Sequence, residues 1–197
     1  MNFIKRYMGF LLFIVFLSGC SSHNGYKQSS MVPKACNAPE INSQLKQTYL
    51  NAINQVRVQG RDCGSAGNFS SAPALRWSNS LYKAAHEHSN DMLQSNCFSH
   101  IGSQKDTDWT ASVQNLDKGS SFRERIENNG YKQWKKIAEN IAMGSPTLDM
   151  VMSQWLDSDK HCANIMNPDF TDVGMASVNL EGPQLSYYWT QTFAAHQ

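Results

Sequence analysis

What this sequence lacks narrows its function first. It has no excess of positive charge: 17 Lys and Arg stand against 16 Asp and Glu, with no basic stripe. Phosphate neutralisation needs a clustered positive field, so nucleic-acid binding is excluded. There is no C-x-x-C pair, which argues against a zinc site built from the five cysteines. H-E-x-x-H is absent, and His86-Glu87-His88 spaces its imidazoles two apart, on different faces of a helix. No G-x-S-x-G nucleophile elbow occurs. Strands and helices do not alternate as βα units, which argues for α+β rather than a doubly wound sheet.

No apolar run reaches the roughly 20 residues of a spanning helix. The longest, Met8 to Leu17 after Lys5 and Arg6, has the length of a secretory h-region, so residues 1–19 read as a signal peptide. It ends in Leu17-Ser18-Gly19-Cys20, which resembles a bacterial lipobox, with Cys20 the lipidated residue of the mature chain. A membrane anchor through two or three acyl chains is implied. Ser21 resembles an outer-membrane sorting residue if the host is Gram-negative, so the expected location is the cell envelope. Residues 20–41, rich in Ser, Asn, Gly, Lys and Pro, read as a flexible tether. Residues 42–197 suffice for one domain with a sizeable core. Without Lys5 and Arg6 the mature chain keeps 15 basic residues against 16 acidic ones, and it is expected as a monomer.

Within the domain, Leu45, Tyr49, Ile53 and Val56 recur at helical spacing, after Asn42 or Ser43 as cap and before Gly60. Ser78 or Asn79 caps a second helix with Leu81, Ala85, His88 and Met92 on one face and Asn96 as its stop. Ser121-Phe122-Arg123-Glu124 has the form of a capping box, closed by Gly130. Ser145-Pro146 predicts a cap and a first-turn proline before Leu148, Val151, Met152 and Trp155. Strands are expected over Lys136–Ala142, Asp172–Asn179 and Leu185–Ala194, the last two joined by a turn. The polar stretch Ile101 to Ser120 fits no core element and reads as a lid or a disordered loop.

Three short motifs carry ionisable groups: Cys97-Phe98-Ser99-His100, Ala138-Glu139-Asn140-Ile141-Ala142 and Ser158-Asp159-Lys160-His161-Cys162-Ala163-Asn164-Ile165. A carboxylate in an apolar strand is costly to bury unless paired, so a histidine is a plausible partner for Glu139. With Pro168-Asp169-Phe170-Thr171-Asp172-Val173-Gly174 and Tyr188-Trp189-Thr190-Gln191-Thr192-Phe193, these motifs resemble, in order and spacing, the bacterial branch of the CAP superfamily. That is the cysteine-rich secretory, antigen 5 and pathogenesis-related (SCP) domain, and the resemblance runs from about Gln44 to the C-terminus.

The resemblance implies a three-layer α-β-α sandwich around a small, mainly antiparallel sheet. It also implies that His100 and Glu139 match the first histidine and first acid of the eukaryotic cleft. The chain departs from that pattern twice: Ser158 stands three residues after Trp155 where an acid is expected, and Tyr188 stands where a second histidine is expected. His161 resembles the bacterial-type histidine before Asn-Ile.

His100, Glu139 and His161 are thus the expected cleft and candidate catalytic residues, with Ser158, Asn164, Tyr188 and Gln191 expected to contact ligand. A small hydrophobic molecule, peptide or cell-wall fragment is the expected ligand. The alternatives are a hydrolase, protease-like and metal-assisted or not, and a scaffold or adhesion protein. No cofactor is required, although His100 and His161 could hold a divalent metal such as zinc. Beyond Cys20, an even set remains, Cys36, Cys63, Cys97 and Cys162, which in an exported chain reads as disulfides with three pairings open. If the two histidines share a cavity, Cys97 and Cys162 should come within bridging distance, leaving Cys36 to Cys63.

Overall fold

The computed structural model describes residues 38–180 and 186–197. The leader, Cys20, Cys36 and most of the turn before β6 lie outside them. The first helix, α1 (Ser43–Arg57), opens where Asn42 accepts a hydrogen bond from the Leu45 amide. A two-strand ribbon, β1 (Arg61–Asp62) and β2 (Asn68–Phe69), leads to a short strand, β3 (Arg76–Trp77). Ser78 then caps α2 (Asn79–Ser95), which ends at Asn96 in the left-handed conformation (φ 52°).

A short α3 (Trp109–Gln114) and α4 (Phe122–Asn128) follow, α4 opened by a reciprocal capping box between Ser121 and Glu124. Then come β4 (Trp134–Met143), α5 (Leu148–Leu156), α6 (Asp159–Met166), β5 (Asp172–Leu180) and β6 (Ser186–His196). Among the described residues no helix is long and apolar enough to cross a membrane.

The main sheet has the order β3-β5-β6-β4, antiparallel except for the β3–β5 pair. Side-chain alternation along its strands feeds two layers. Val173, Met175, Trp189 and Phe193 face a core with Ile53, Trp155 and Ile165 from α1, α5 and α6. Ala176, Ala194, Tyr188 and Ile141 face α2 and α4. Helices therefore cover both sides of the sheet, giving the expected α+β sandwich.

Two close approaches demand glycine. A Cβ on Gly174 would lie 2.0 Å from the Tyr82 backbone nitrogen, because α2 rests directly on β5, and one on Gly119 would lie 1.8 Å from the Gly102 carbonyl oxygen.

Two expectations need correction. The fourth predicted helix starts at Leu148 with Thr147 as its cap, not at Pro146 after Ser145. Ser145 is committed elsewhere: its carbonyl accepts from Trp189 Nε1 at 2.7 Å and its hydroxyl donates to Gln154 at 2.7 Å. The stretch Ile101 to Ser120 is an ordered element that includes α3, not a disordered loop. Buried Asp91 accepts from the Ser103 amide (2.8 Å) and the Thr107 hydroxyl (2.6 Å), and buried Asp108 accepts from the Ser120 amide (2.7 Å) and hydroxyl (2.6 Å). Carboxylates inside the fold, not apolar side chains, hold this polar segment down.

Arg57 is fully buried and has no carboxylate partner among the described residues. Its guanidinium donates to the carbonyls of Pro73, Ile165 and Asn167 at 2.6–2.9 Å, tying α1 to the end of α6, and burial lowers its pKa to about 10. Arg57→Met should therefore lose about 3 kcal/mol in urea unfolding, because three buried carbonyls lose their donors at once. Arg57→Lys should recover less than half, since one ammonium cannot reproduce the planar fork.

Candidate functional site

The site is built on β4, the edge strand of the sheet. Glu139 and Asn140 are successive residues and so point to opposite faces. Glu139 turns toward α2 and α4. There Arg125 Nη2 lies 3.1 and 2.9 Å from its two oxygens, and His100 Nδ1 lies 3.0 Å from Oε1. The same Arg125 nitrogen donates to the His100 carbonyl at 3.0 Å, and Nη1 donates to the Ser120 carbonyl. Arg125 thus holds both the carboxylate and the backbone of the loop that carries His100. A second imidazole, His88 of α2, stands fully buried with Nε2 3.8 Å from Glu139 Oε1, and neither of its nitrogens makes a hydrogen bond of good geometry.

The electrostatics follow from this packing. Burial pushes the Glu139 carboxyl up, but Arg125 foremost, with His88 and His100, outweighs burial and holds it at about 2. Burial drives His88 down to about 3, and Arg125 pushes the same way against the pull of Glu139. At neutral pH the cluster therefore holds an ionised Glu139, a cationic Arg125 and an uncharged His88. An ionised Glu139 can only accept, so His100 carries a proton on Nδ1. When that ring is neutral, its lone pair is on Nε2, and the side chain is 49% exposed.

Asn140 turns the other way. Its amide nitrogen donates to the His161 carbonyl (3.2 Å) and to Gln191 Oε1 (3.1 Å), and its oxygen accepts from Asn164 (2.8 Å). This amide latches α6, and with it His161, onto the outer side of β4. His161 is half-buried. Burial lowers its pKa, and the charge of nearby His100 adds to that effect.

The first turn of α6 is also held from outside: Cys162 is bonded to Cys63 with Cα atoms 5.5 Å apart, and Asp159 accepts from the Ser65 amide at 2.9 Å. This corrects the expected pairing. Cys162 does not join Cys97, and Cys63 does not join Cys36, because Cys162 points from α6 to the β1–β2 ribbon and not across β4. Cys97 is itself disulfide-bonded, and Cys36 lies outside the described residues.

Of the residues singled out in the sequence, His100 and Glu139 touch, and His161 lies across the edge strand within reach of the His100 charge. Asn164, Tyr188 and Gln191 are engaged in packing. Asn164 bonds Asn140, Tyr188 is buried with its hydroxyl 3.4 Å from Asn96 Oδ1, and Gln191 is fully buried between Asn140 and Met175. Ser158 is the N-cap residue of α6, and its side chain makes no capping bond.

Arg125 and His88 were missed. Each carried a signal, a polar side chain on the apolar stripe of its own helix: Arg125 beside Phe122 and Ile126, His88 in line with Leu81, Ala85 and Met92.

The donor set does not fit a metal. Arg125 engages both Glu139 oxygens, and a fixed guanidinium opposes a second cation there. Of the expected ligands this leaves the imidazoles of His100 and His161, short of the three protein ligands of a catalytic zinc site. Among the described residues no group of three or more His, Cys, Asp or Glu side chains is placed to hold a metal ion.

The sequence pattern of CAP, the cysteine-rich secretory protein family, matches residues 50–193. The chain belongs to this family. Among curated relatives, protein YkwD of Bacillus subtilis (strain 168) is 32% identical over 119 residues, covering 60% of this chain and 38% of YkwD. Membrane protein YlbC of the same organism is 26% identical over 171 residues, covering 85% of this chain and 40% of YlbC. The chain thus spans about two fifths of the length of these relatives.

Among solved structures, an extracellular SCP-domain protein from Bacillus anthracis str. Ames superposes with a TM-score of 0.56 at 21% identity, over 81% of this chain and 45% of that one. An outer surface protein of Borrelia burgdorferi gives 0.56 at 18% identity, over 80% and 97%. These likenesses confirm the CAP fold.

Proposed function

We propose that this CAP protein is an exported, envelope-anchored binding module whose cleft beside β4 takes a small hydrophobic, peptide or cell-wall-derived ligand. The observation that carries this reading is the locked state of Glu139. Arg125 and His100 occupy its oxygens, so the carboxylate acts as a fixed anchor, and the His100 nitrogen turned away from it is the group left to meet a ligand. The envelope location is supported by the leader and Cys20, by the disulfide, which suits an oxidising compartment, and by the extracellular and surface proteins among the relatives.

The test is a melting-shift screen of the purified chain against lipids, short peptides and muropeptides. A ligand that raises Tm in the wild type and fails to do so in His100→Ala supports the reading. An absence of any shift across the panel counts against it.

One observation favours a second reading, a hydrolase. An imidazole held at 3.0 Å by an ionised carboxylate is the arrangement of a general base, able to take a proton from water at Nε2. Equal turnover by the wild type and a His100→Ala, His161→Ala double variant on ester and peptide substrates removes that reading.

A further inference from the structure

A second concavity among the described residues lies elsewhere. It is a half-open groove of about 720 Å³ at the start of α2, lined by Lys46, Tyr82, Lys83, Trp109, Asn128 and Asn129. From Lys83 to the loop that carries His100 is most of the length of α2, roughly 20 Å at 1.5 Å per residue. The Lys83 end of the groove therefore lies away from His100, while Asn128 and Asn129 stand within about one turn of α4 from Arg125.

Its walls are fixed from beneath by one buried carboxylate. Glu87 accepts from the Thr110 amide at 2.8 Å and from the Asn129 side-chain nitrogen at 2.7 Å, and the Asn128 side-chain nitrogen donates to the Thr110 hydroxyl at 3.2 Å. Glu87 thus joins the start of α3, which carries Trp109, to the end of α4, which carries the two asparagines. The Asn129 amide nitrogen is spent on Glu87 and the Arg125 carbonyl, and that of Asn128 is directed at Thr110, so both side-chain oxygens remain as acceptors. Tyr82 is held as well, its hydroxyl donating to the Pro39 carbonyl at 2.9 Å.

We propose that this groove is a second binding site, for a glycan of N-acetylated amino sugars that carries spaced carboxylates. Each part of the groove matches a part of such a chain. The indole of Trp109 offers a flat apolar face for the C–H side of a pyranose ring. The acceptor oxygens of Asn128 and Asn129 suit sugar hydroxyls and the N–H of an acetamido group. Lys46 and Lys83 supply point charges for carboxylates. Glu40 on the same rim breaks the positive field, which suits isolated acids over a dense polyanion. A purely apolar ligand would leave the lysines and asparagines of the walls unpaired.

The test titrates the full chain with three tetrasaccharides, followed by calorimetry and amide chemical shifts. One alternates N-acetylglucosamine with N-acetylmuramic acid, one is hyaluronan, and one is neutral chitotetraose. The acidic glycans should bind about tenfold more tightly than chitotetraose, Trp109→Ala should weaken all binding about tenfold, and Lys46→Ala, Lys83→Ala should abolish the preference for acid. Trp109→Phe should retain most of the affinity, and the lysine variants alter only side chains at the groove wall, so a folding defect cannot imitate this pattern. His100→Ala should leave binding unchanged. Preference for the muramic glycan over hyaluronan assigns a cell-wall source, and equal binding assigns recognition to the carboxylate alone. No binding of any glycan, or binding lost with His100→Ala and kept with Trp109→Ala, overturns the proposal.

Discussion

Arg125→Met is expected to lose about 5 kcal/mol at pH 7 in urea unfolding, near the upper end for breaking a buried ion pair, because it strands the Glu139 carboxylate inside the fold. The pH profile should change shape as well. In the wild type Glu139 is held at about 2, below the ordinary carboxylate value of 4.5. Its contribution is thus complete above the unfolded pKa and is lost as pH falls from about 4.5 toward 2. In the variant the opposing charge is gone, and burial pushes the Glu139 pKa up instead. The gap between variant and wild type should therefore narrow as pH falls below neutrality.

His88 adds a second acid-sensitive component to the wild type. Its folded pKa of about 3 lies below 6.5, so the unfolded chain binds the proton more readily and stability falls across that interval. The decisive comparison is with Glu139→Gln in the same background. Removing the stranded charge should return at least 2 kcal/mol of the loss, a coupling typical of residues in direct contact. A double variant no more stable than Arg125→Met alone would mean that Arg125 acts through the His100 and Ser120 carbonyls only.

Gly174→Ala should yield no folded protein, or one weakened by about 5 kcal/mol, the extreme range for a single methyl. The added Cβ would meet the Tyr82 nitrogen at 2.0 Å and the Leu81 carbonyl carbon at 2.2 Å, which are backbone atoms of α2 and cannot rotate aside. Relief requires α2 to lift from β5, which also moves His88 away from Glu139. Gly130→Ala is the matched control. It has φ +96° after α4 and only the Ser80 hydroxyl near its Cβ, at 3.6 Å, so it should cost about 1 kcal/mol. Circular dichroism and thermal melts of the two variants check this ordering.

The sequence was informative for most local structure, the expected cap at Ser145 excepted. Asn42 and Ser78 each take one of the two cap positions their motifs offered, and the capping box at Ser121, the stop at Asn96 and the strand around Glu139 form as read. It was silent wherever a polar group is satisfied at long range. Asp91 looks like a surface acid on α2 and Asp108 like one in the polar stretch, yet both order that stretch from inside. Arg57 and Arg125 look like ordinary helix cations, yet both are buried hubs whose partners lie far along the chain. The cysteine pairing failed for the same reason: adjacency of Cys97 to His100 and of Cys162 to His161 says nothing about which way each side chain leaves its backbone. In the site itself, His100 and Glu139 could be read from their motifs. The cation that governs them showed only as a charge on an apolar stripe, with nothing near Arg125 in sequence to announce a carboxylate 14 residues on.

The opposed directions of Glu139 and Asn140 carry a consequence for how this protein can vary. Strand β4 serves as a partition whose two sides are addressed by parity, with odd positions toward Arg125 and even positions toward α6. Substitutions along it change one side at a time. A single inserted or deleted residue between Lys136 and Glu139 would exchange the two sides, carrying the carboxylate into the layer of Trp155 and Phe193 and leaving an amide to face the guanidinium. Length in this strand is therefore constrained more tightly than composition.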